Sequence, residues 1–221
     1  MSIPCPLSHL VNLSHKAGLC TKLGTRIPSA SWRFNLSALV SDEIVSKTVG
    51  FQRVEPSKGV TFLVKKGSLP SSVQMSLTYV TGDYPSETAC RQWRMDGLAT
   101  QNSSPYPSIL ESAPPASFAQ ILAAAHHQRQ PQHAGNDAFH GGSEGWGLLS
   151  DRAAFLKLVD EYKVRLGNGE ITMDEIHRDI AVFTLPPERV ELCESGEIWE
   201  RTEWWQDGQN GWNDPLTLLP Y

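Results

Sequence analysis

Apolar and polar residues alternate in short runs over the first hundred positions and over the last forty, with a helical period between them. Residues 32–39 set Trp32, Phe34, Leu36 and Ala38 against Arg33, Asn35 and Ser37, then reach polar Ser41-Asp42-Glu43, where the chain can turn. Residues 44–54 predict a second strand, closed by Glu55-Pro56-Ser57-Lys58-Gly59, a turn by its proline and glycine. Residues 60–64 predict a third, stopped at Lys65-Lys66-Gly67-Ser68. In residues 74–80, Met75, Leu77 and Tyr79 alternate with Ser76 and Thr78, the pattern of a half-buried strand. Residues 90–99 predict a fifth, whose Arg91, Gln92, Arg94 and Asp96 bring polar groups onto a sheet.

The period then lengthens. Residues 105–115 are rich in proline and serine, hence a loop. Residues 117–128 predict a helix through Phe118, Ile121, Leu122 and Ala125, with Ser117 as its cap. Residues 130–147 form a glycine-rich stretch of the length that often carries function. Residues 151–166 give the clearest helix: Phe155, Leu158, Val159, Tyr162 and Leu166 share a face, and Gly167 stands at the stop. Strands return at 180–185, 190–193, 198–205 and 212–219. Six or more strands with one helical excursion predict a mainly β (α+β) chain, a closed or half-open barrel with helices at its side. The expected organisation is an arm over 1–28, with no sustained period, and one barrel domain over 29–221 holding a helical and loop excursion at 105–166.

Composition narrows the function classes. The 221 residues carry a formal charge of -5, and no run of Lys or Arg supplies the footprint of nucleic-acid binding. No apolar stretch approaches the roughly 20 residues that a membrane span needs, and the first residues do not read as a secretory signal. Cys5, Cys20, Cys90 and Cys193 are scattered without paired spacing, which fits free thiols in a reducing cytoplasm. A cytoplasmic protein with a small-molecule substrate, and neither nucleic acid nor membrane as partner, is the expectation.

Four segments, in order, give the chain a resemblance to a known family. They are Gly59-Val60-Thr61-Phe62-Leu63-Val64 before Gly67-Ser68; Met75-Ser76-Leu77-Thr78-Tyr79 before Arg91-Gln92-Trp93-Arg94-Met95-Asp96-Gly97; Gln120-Ile121 with Gln128; and residues 186–192 before Glu200-Arg201 and Leu218-Leu219-Pro220. This succession resembles the FMN-binding pyridoxamine 5'-phosphate oxidases and their phenazine-biosynthesis relatives. The resemblance implies a Greek-key split β-barrel of the flavin-reductase and pyridoxamine-phosphate-oxidase type, paired as a homodimer with ligand crevices between subunits. It implies FMN as cofactor, with Gln92 and Gln128 facing the isoalloxazine ring and Arg201 beside it, where a guanidinium favours the reduced anion. Lys47, or in its place Arg53, lies near the family's phosphate-binding strand, and Lys65, Lys66 and Ser68 are further phosphate contacts.

The departures are as informative. The family's Ser-Arg-Lys turn is Ser68-Leu69-Pro70 here, so two phosphate-gripping cations are gone. The Arg-x-His pair that receives pyridoxal phosphate is Glu197-Ile198-Trp199, and the basic residues before the Ser-Gln-Ile helix are Pro115-Ala116-Ser117. The resemblance therefore points to a divergent member that is not a vitamin B6 oxidase.

Plainer readings stand beside these. Gln92 and Gln128 are polar residues that any barrel face can carry, and Arg201 between Glu200 and Glu203 fits a surface ion pair. His126, His127, His133 and His140 lack the spacing of a metal site, so no metal is expected, although a histidine can shuttle protons near neutral pH. Trp199, Trp204, Trp205 and Trp212 suit core packing, or a flat wall for a planar ligand. The leading expectation is an FMN-dependent oxidoreductase acting on a small planar metabolite in specialised biosynthesis, with Trp199 and Ser117 near the substrate. The alternatives are a flavin-free barrel enzyme doing redox-neutral chemistry through His126, His127 or Glu197, and a noncatalytic ligand-binding module.

Overall fold

The computed structural model describes residues 5–8, 10, 33–81, 91–103, 116–129, 152–195, 198–208 and 211–219. Among the described residues nine strands form one mostly antiparallel sheet: β1 (Arg33–Val40), β2 (Glu43–Glu55), β3 (Gly59–Lys65), β4 (Ser72–Thr81), β5 (Arg91–Gln101), β6 (Ile180–Leu185), β7 (Arg189–Ser195), β8 (Trp199–Trp205) and β9 (Leu216–Leu218). Their order is β4-β1-β2-β3-β6-β5-β7-β8-β9, and β4 also pairs with β5. This is a mostly β split-barrel architecture, with helices α1 (Ala116–Arg129), α2 (Arg152–Gly167) and α3 (Met173–Asp179) falling between β5 and β6. The chain divides into two compact units, Met1–Phe62 with Ser71–Thr100 and Thr184–Tyr221, and Leu63–Pro70 with Gln101–Phe183.

The first unit is built by alternation. Side chains directly opposite each other on paired strands share a face. The register carries Leu36 to Leu77, Leu77 to Met95, and Met95 to Val190, so one apolar row crosses four strands. All four are buried, as are Trp93 and Phe34. Phe34 meets Tyr79 with ring centroids 5.1 Å apart, and burial pushes the Tyr79 phenol up to about 12. Ser41 and Asp42, at the tip between β1 and β2, both take positive φ (50° and 66°), as a tight hairpin turn requires. Near the start of the chain, Leu7 and Leu10 are buried, and the Cys5 thiol donates to the Pro56 carbonyl at 3.1 Å.

Two glycines are fixed by close approach. A Cβ on Gly97 would lie 2.6 Å from the Pro186 carbonyl oxygen. That contact accompanies the hydrogen bond from the Glu188 N–H to the Asp96 carbonyl (2.8 Å), which seats the β6–β7 turn on β5. Gly59, with φ +107°, opens β3 where a Cβ would meet the Leu185 carbonyl oxygen at 2.1 Å.

In the second unit, Ala119, Leu122 and Ala123 of α1 and Val159, Tyr162 and Leu166 of α2 form one buried cluster with Leu63, Ile171, Ile176, Ile180 and Val182. The spacing is the helical one expected for both segments. Helix α1 begins at Ala116. Ser117 is therefore within the first turn rather than at the cap. Helix α3 was not expected from periodicity, being only seven residues long. A capping box starts it: the Glu175 N–H donates to Thr172 Oγ1 (3.3 Å), and the Thr172 N–H donates to Glu175 Oε2 (3.0 Å). Arg165 of α2 adds a bond to Glu175 Oε1 at 3.0 Å.

The Thr172 backbone N–H, then Arg165, hold the Glu175 carboxyl below its ordinary range. A lowered folded-state pKa stabilises above the unfolded value, and that share is lost as pH falls through the folded value. Thr172→Ala should cost about 1 kcal/mol in denaturant unfolding at neutral pH. A cost that stays within a few tenths would show that the box does not start this helix.

Candidate functional site

The first unit presents a second face, opposite its apolar rows, and polar residues fill it. Gln92 on β5 pairs with Val80 on β4 and with Cys193 on β7. Cys193 pairs with Arg201 on β8, and Arg201 with Leu218 on β9. Gln92, Cys193 and Arg201 therefore stand in one cross-strand row. Gln92 and Arg201 are two strand spacings apart, about 10 Å. Trp199, two residues before Arg201, lies on the same face and is half exposed, as are Val80 and Leu218.

The neighbouring rows hold a network of charges. Arg201 Nε donates to Glu203 Oε1 at 2.9 Å, and Arg189 Nη2 donates to the same oxygen at 3.0 Å. Arg189 also pairs with Glu191, and its Nη1 lies 3.6 Å from Asp96 Oδ2. Arg94 Nε bonds both Asp96 Oδ1 (3.0 Å) and Ser76 Oγ (3.2 Å), and the Asp96 bond raises the Arg94 pKa. Three arginines meet three carboxylates, and Glu191 and Glu203 are buried. The Arg189 guanidinium further lies over the Trp205 ring, 5.4 Å from its centroid. The Cys193 thiol is pushed up by burial first and then by Glu191, while Arg201 lowers it and Glu203 adds the smallest push upward.

The other residues singled out in the sequence are placed as follows. Lys47 pairs with Leu36, so it stands on the apolar-row face of the sheet, opposite to Gln92 and Arg201. Lys65, Lys66 and Ser68 belong to the second unit. There, Lys66 Nζ donates to the His177 carbonyl (2.9 Å), the Lys66 N–H bonds the Asp179 carbonyl (3.0 Å), and Ser68 is buried. His126 Nδ1 lies 3.1 Å from the Tyr162 hydroxyl, a contact between α1 and α2 that has a packing role of its own. The side chains of Ser117, His127, Gln128 and Arg53 lie outside the described residues, as does Glu197. The tryptophans do not make one wall. Trp199 and Trp205 share the polar face, Trp204 pairs with Val190 on the other, and Trp212 bridges Gln206.

Sequence reasoning missed Arg189, Glu191 and Glu203 as a unit. The available signal was the i, i+2 spacing of Arg189 with Glu191 and of Arg201 with Glu203, which on a strand puts each pair on one face. Among the described residues no cluster of His, Cys, Asp and Glu fits a metal ion, and no helix is long and apolar enough to cross a membrane.

Two solved structures are similar to this chain in fold. PhzG from Burkholderia lata 383, in complex with tetrahydrophenazine-1-carboxylic acid, matches with a TM-score of 0.57 at 16% identity, covering 97% of this chain and 91% of its own. A pyridoxamine 5'-phosphate oxidase-related, FMN-binding protein from Nostoc punctiforme PCC 73102 gives 0.55 at 15% identity, covering 100% of both chains. The chain has the pyridoxamine-phosphate-oxidase-type split-barrel fold. No family model matches it, and no curated protein matches it in sequence. In this split barrel, β5 is the strand that joins the Gln92 row on one side to β4 and on the other to β7.

Proposed function

We propose that this protein is an FMN-dependent oxidoreductase acting on a small planar metabolite at the Gln92–Cys193–Arg201 face, and that it works as a homodimer in the cytoplasm. The reading rests on one observation: an exposed amide and a guanidinium stand in one row, about three strands wide, on a fold shared with an FMN-binding protein. Tested against the donors present, the isoalloxazine ring fits this row. Its polar edge needs a side chain that both donates and accepts, which Gln92 is, and a fixed donor, which Arg201 is. The phosphate fits less well, since every arginine of the face is already matched by a carboxylate.

When bound, FMN supplies a two-electron acceptor for hydride from a substrate carbon. The chain's own work is then placement. Gln92 would orient the ring edge, Arg201 would hold it as a fixed donor, and Trp199 would offer an apolar surface that keeps water from a flat ligand. The likeness to PhzG, which was solved with a tricyclic carboxylic acid, supports a planar substrate and a place in specialised biosynthesis.

The matched charges also favour a second reading, a flavin-free enzyme doing redox-neutral chemistry on the same face. One preparation separates the two. Purified protein should be yellow, or should perturb the visible absorbance of added FMN, with one flavin per chain and a dimer mass by light scattering. Gln92→Leu should weaken flavin binding about tenfold. Colourless protein that leaves the FMN spectrum unchanged would sink the first reading, and turnover retained without flavin would establish the second.

A further inference from the structure

We propose that Glu203 sets the charge preference of the Gln92–Cys193–Arg201 row, making it a surface for an uncharged planar ligand edge rather than for an anion. The proposal deepens the reading of this face as the ligand surface and rests on it. An arginine half exposed beside a glutamine would ordinarily be an anion site, because a guanidinium fork matches a carboxylate or phosphate. Here one edge of that fork is engaged. The Nε edge of Arg201 is turned to Glu203, whose side chain is 4% exposed. The same Glu203 oxygen also holds Arg189, which in turn holds Glu191.

The alternation Arg201–Glu203–Arg189–Glu191 sums to zero, so the row keeps the directional donors of Arg201 while losing the attraction of a free cation. Burial strengthens the effect, since a carboxylate shielded from water is screened less from its neighbours. Cys193, midway along the row, is an internal witness. It faces Gln92 and Arg94 on β5, Arg201 and Glu203 on β8, and Glu191 on its own strand. Its thiolate is disfavoured by burial first and by Glu191, with Arg201 pulling the other way and Glu203 adding the smallest push.

Phenazine and phenazine-1-carboxylate form a suitable probe pair, alike in ring system and differing by one negative charge. Calorimetric titration of the purified protein should give tighter binding of phenazine. In Glu203→Gln, which keeps the shape and removes the charge, the affinity ratio should move toward the carboxylate by about tenfold. The alkylation rate of Cys193, read by peptide mass spectrometry against pH, should rise in the variant because its thiolate becomes easier to form. A wild type that prefers the carboxylate overturns the proposal even where the variant does not fold. A ratio unmoved in the folded variant overturns it too, as does the failure of both probes to bind. Flavin binding is a separate readout: an unchanged FMN spectrum with a shifted phenazine ratio would discard the flavin and keep Glu203.

Discussion

Gly59→Ala should lower the thermal midpoint by roughly 10 °C, the shift that about 3 kcal/mol makes in a chain of this size. Two costs combine. At φ +107° a Cβ is strained before it touches anything, which is worth about 1–2 kcal/mol. The added atom then meets backbone, with the Leu185 carbonyl oxygen at 2.1 Å, its carbon at 2.7 Å and Pro186 Cα at 2.8 Å, none of which can swing away as a side chain can. The β3 start or the β6 end must therefore part. Gly67→Ala is the internal control: its φ of +84° carries the strain, but nothing lies within 4 Å of the added Cβ. Equal losses for the two variants would show that the Leu185 contact yields, and that close approach is not what keeps glycine at 59.

Arg189→Met should cost a similar amount, about 3 kcal/mol in denaturant unfolding, through charge rather than shape. Removing one partner of a buried pair leaves the other charge without its compensation, which typically costs 3–5 kcal/mol. Arg189 joins Asp96, Glu191 and Glu203, and its own side chain is 30% exposed, so the lower end of that range applies. Glu203 keeps Arg201, but Glu191 keeps only more distant cations. The double variant Arg189→Met, Glu191→Gln should therefore recover more than half of the loss, a coupling that a double-mutant cycle measures. If the two losses simply add, the network is a set of independent surface pairs.

Most strands were legible because alternation over five or more residues has few competing explanations. Residues 44–54 and 60–64 come within a residue of β2 and β3, and 180–185 coincides with β6. The last strand was overextended. Leu216, Thr217 and Leu218 are all exposed, so no buried face gave residues 212–219 a pattern to follow. Helix α3 escaped because seven residues are too few for a period, though Thr172-x-x-Glu175 marked its start.

The row itself was half legible. The motif around Gln92 and the placement of Arg201 pointed to one region, whereas the opposite facing of Lys47 depends on the β1–β2 register, which sequence does not supply. Long-range ion pairing is similarly hidden. Nothing near Arg201 in the chain says that Arg189 will reach the same carboxylate oxygen.

Among the described residues strand β9 has one neighbour in the sheet, β8, and its other edge has no pairing strand among them. Open ladders of this kind invite cross-β stacking between molecules, the route to fibrils. Here the ladder is three residues long, and Pro215 immediately before it lacks an N–H. A foreign strand would find at most a few rungs in β9, too short a purchase to seed a filament, and Pro215 has no donor with which to lengthen the ladder.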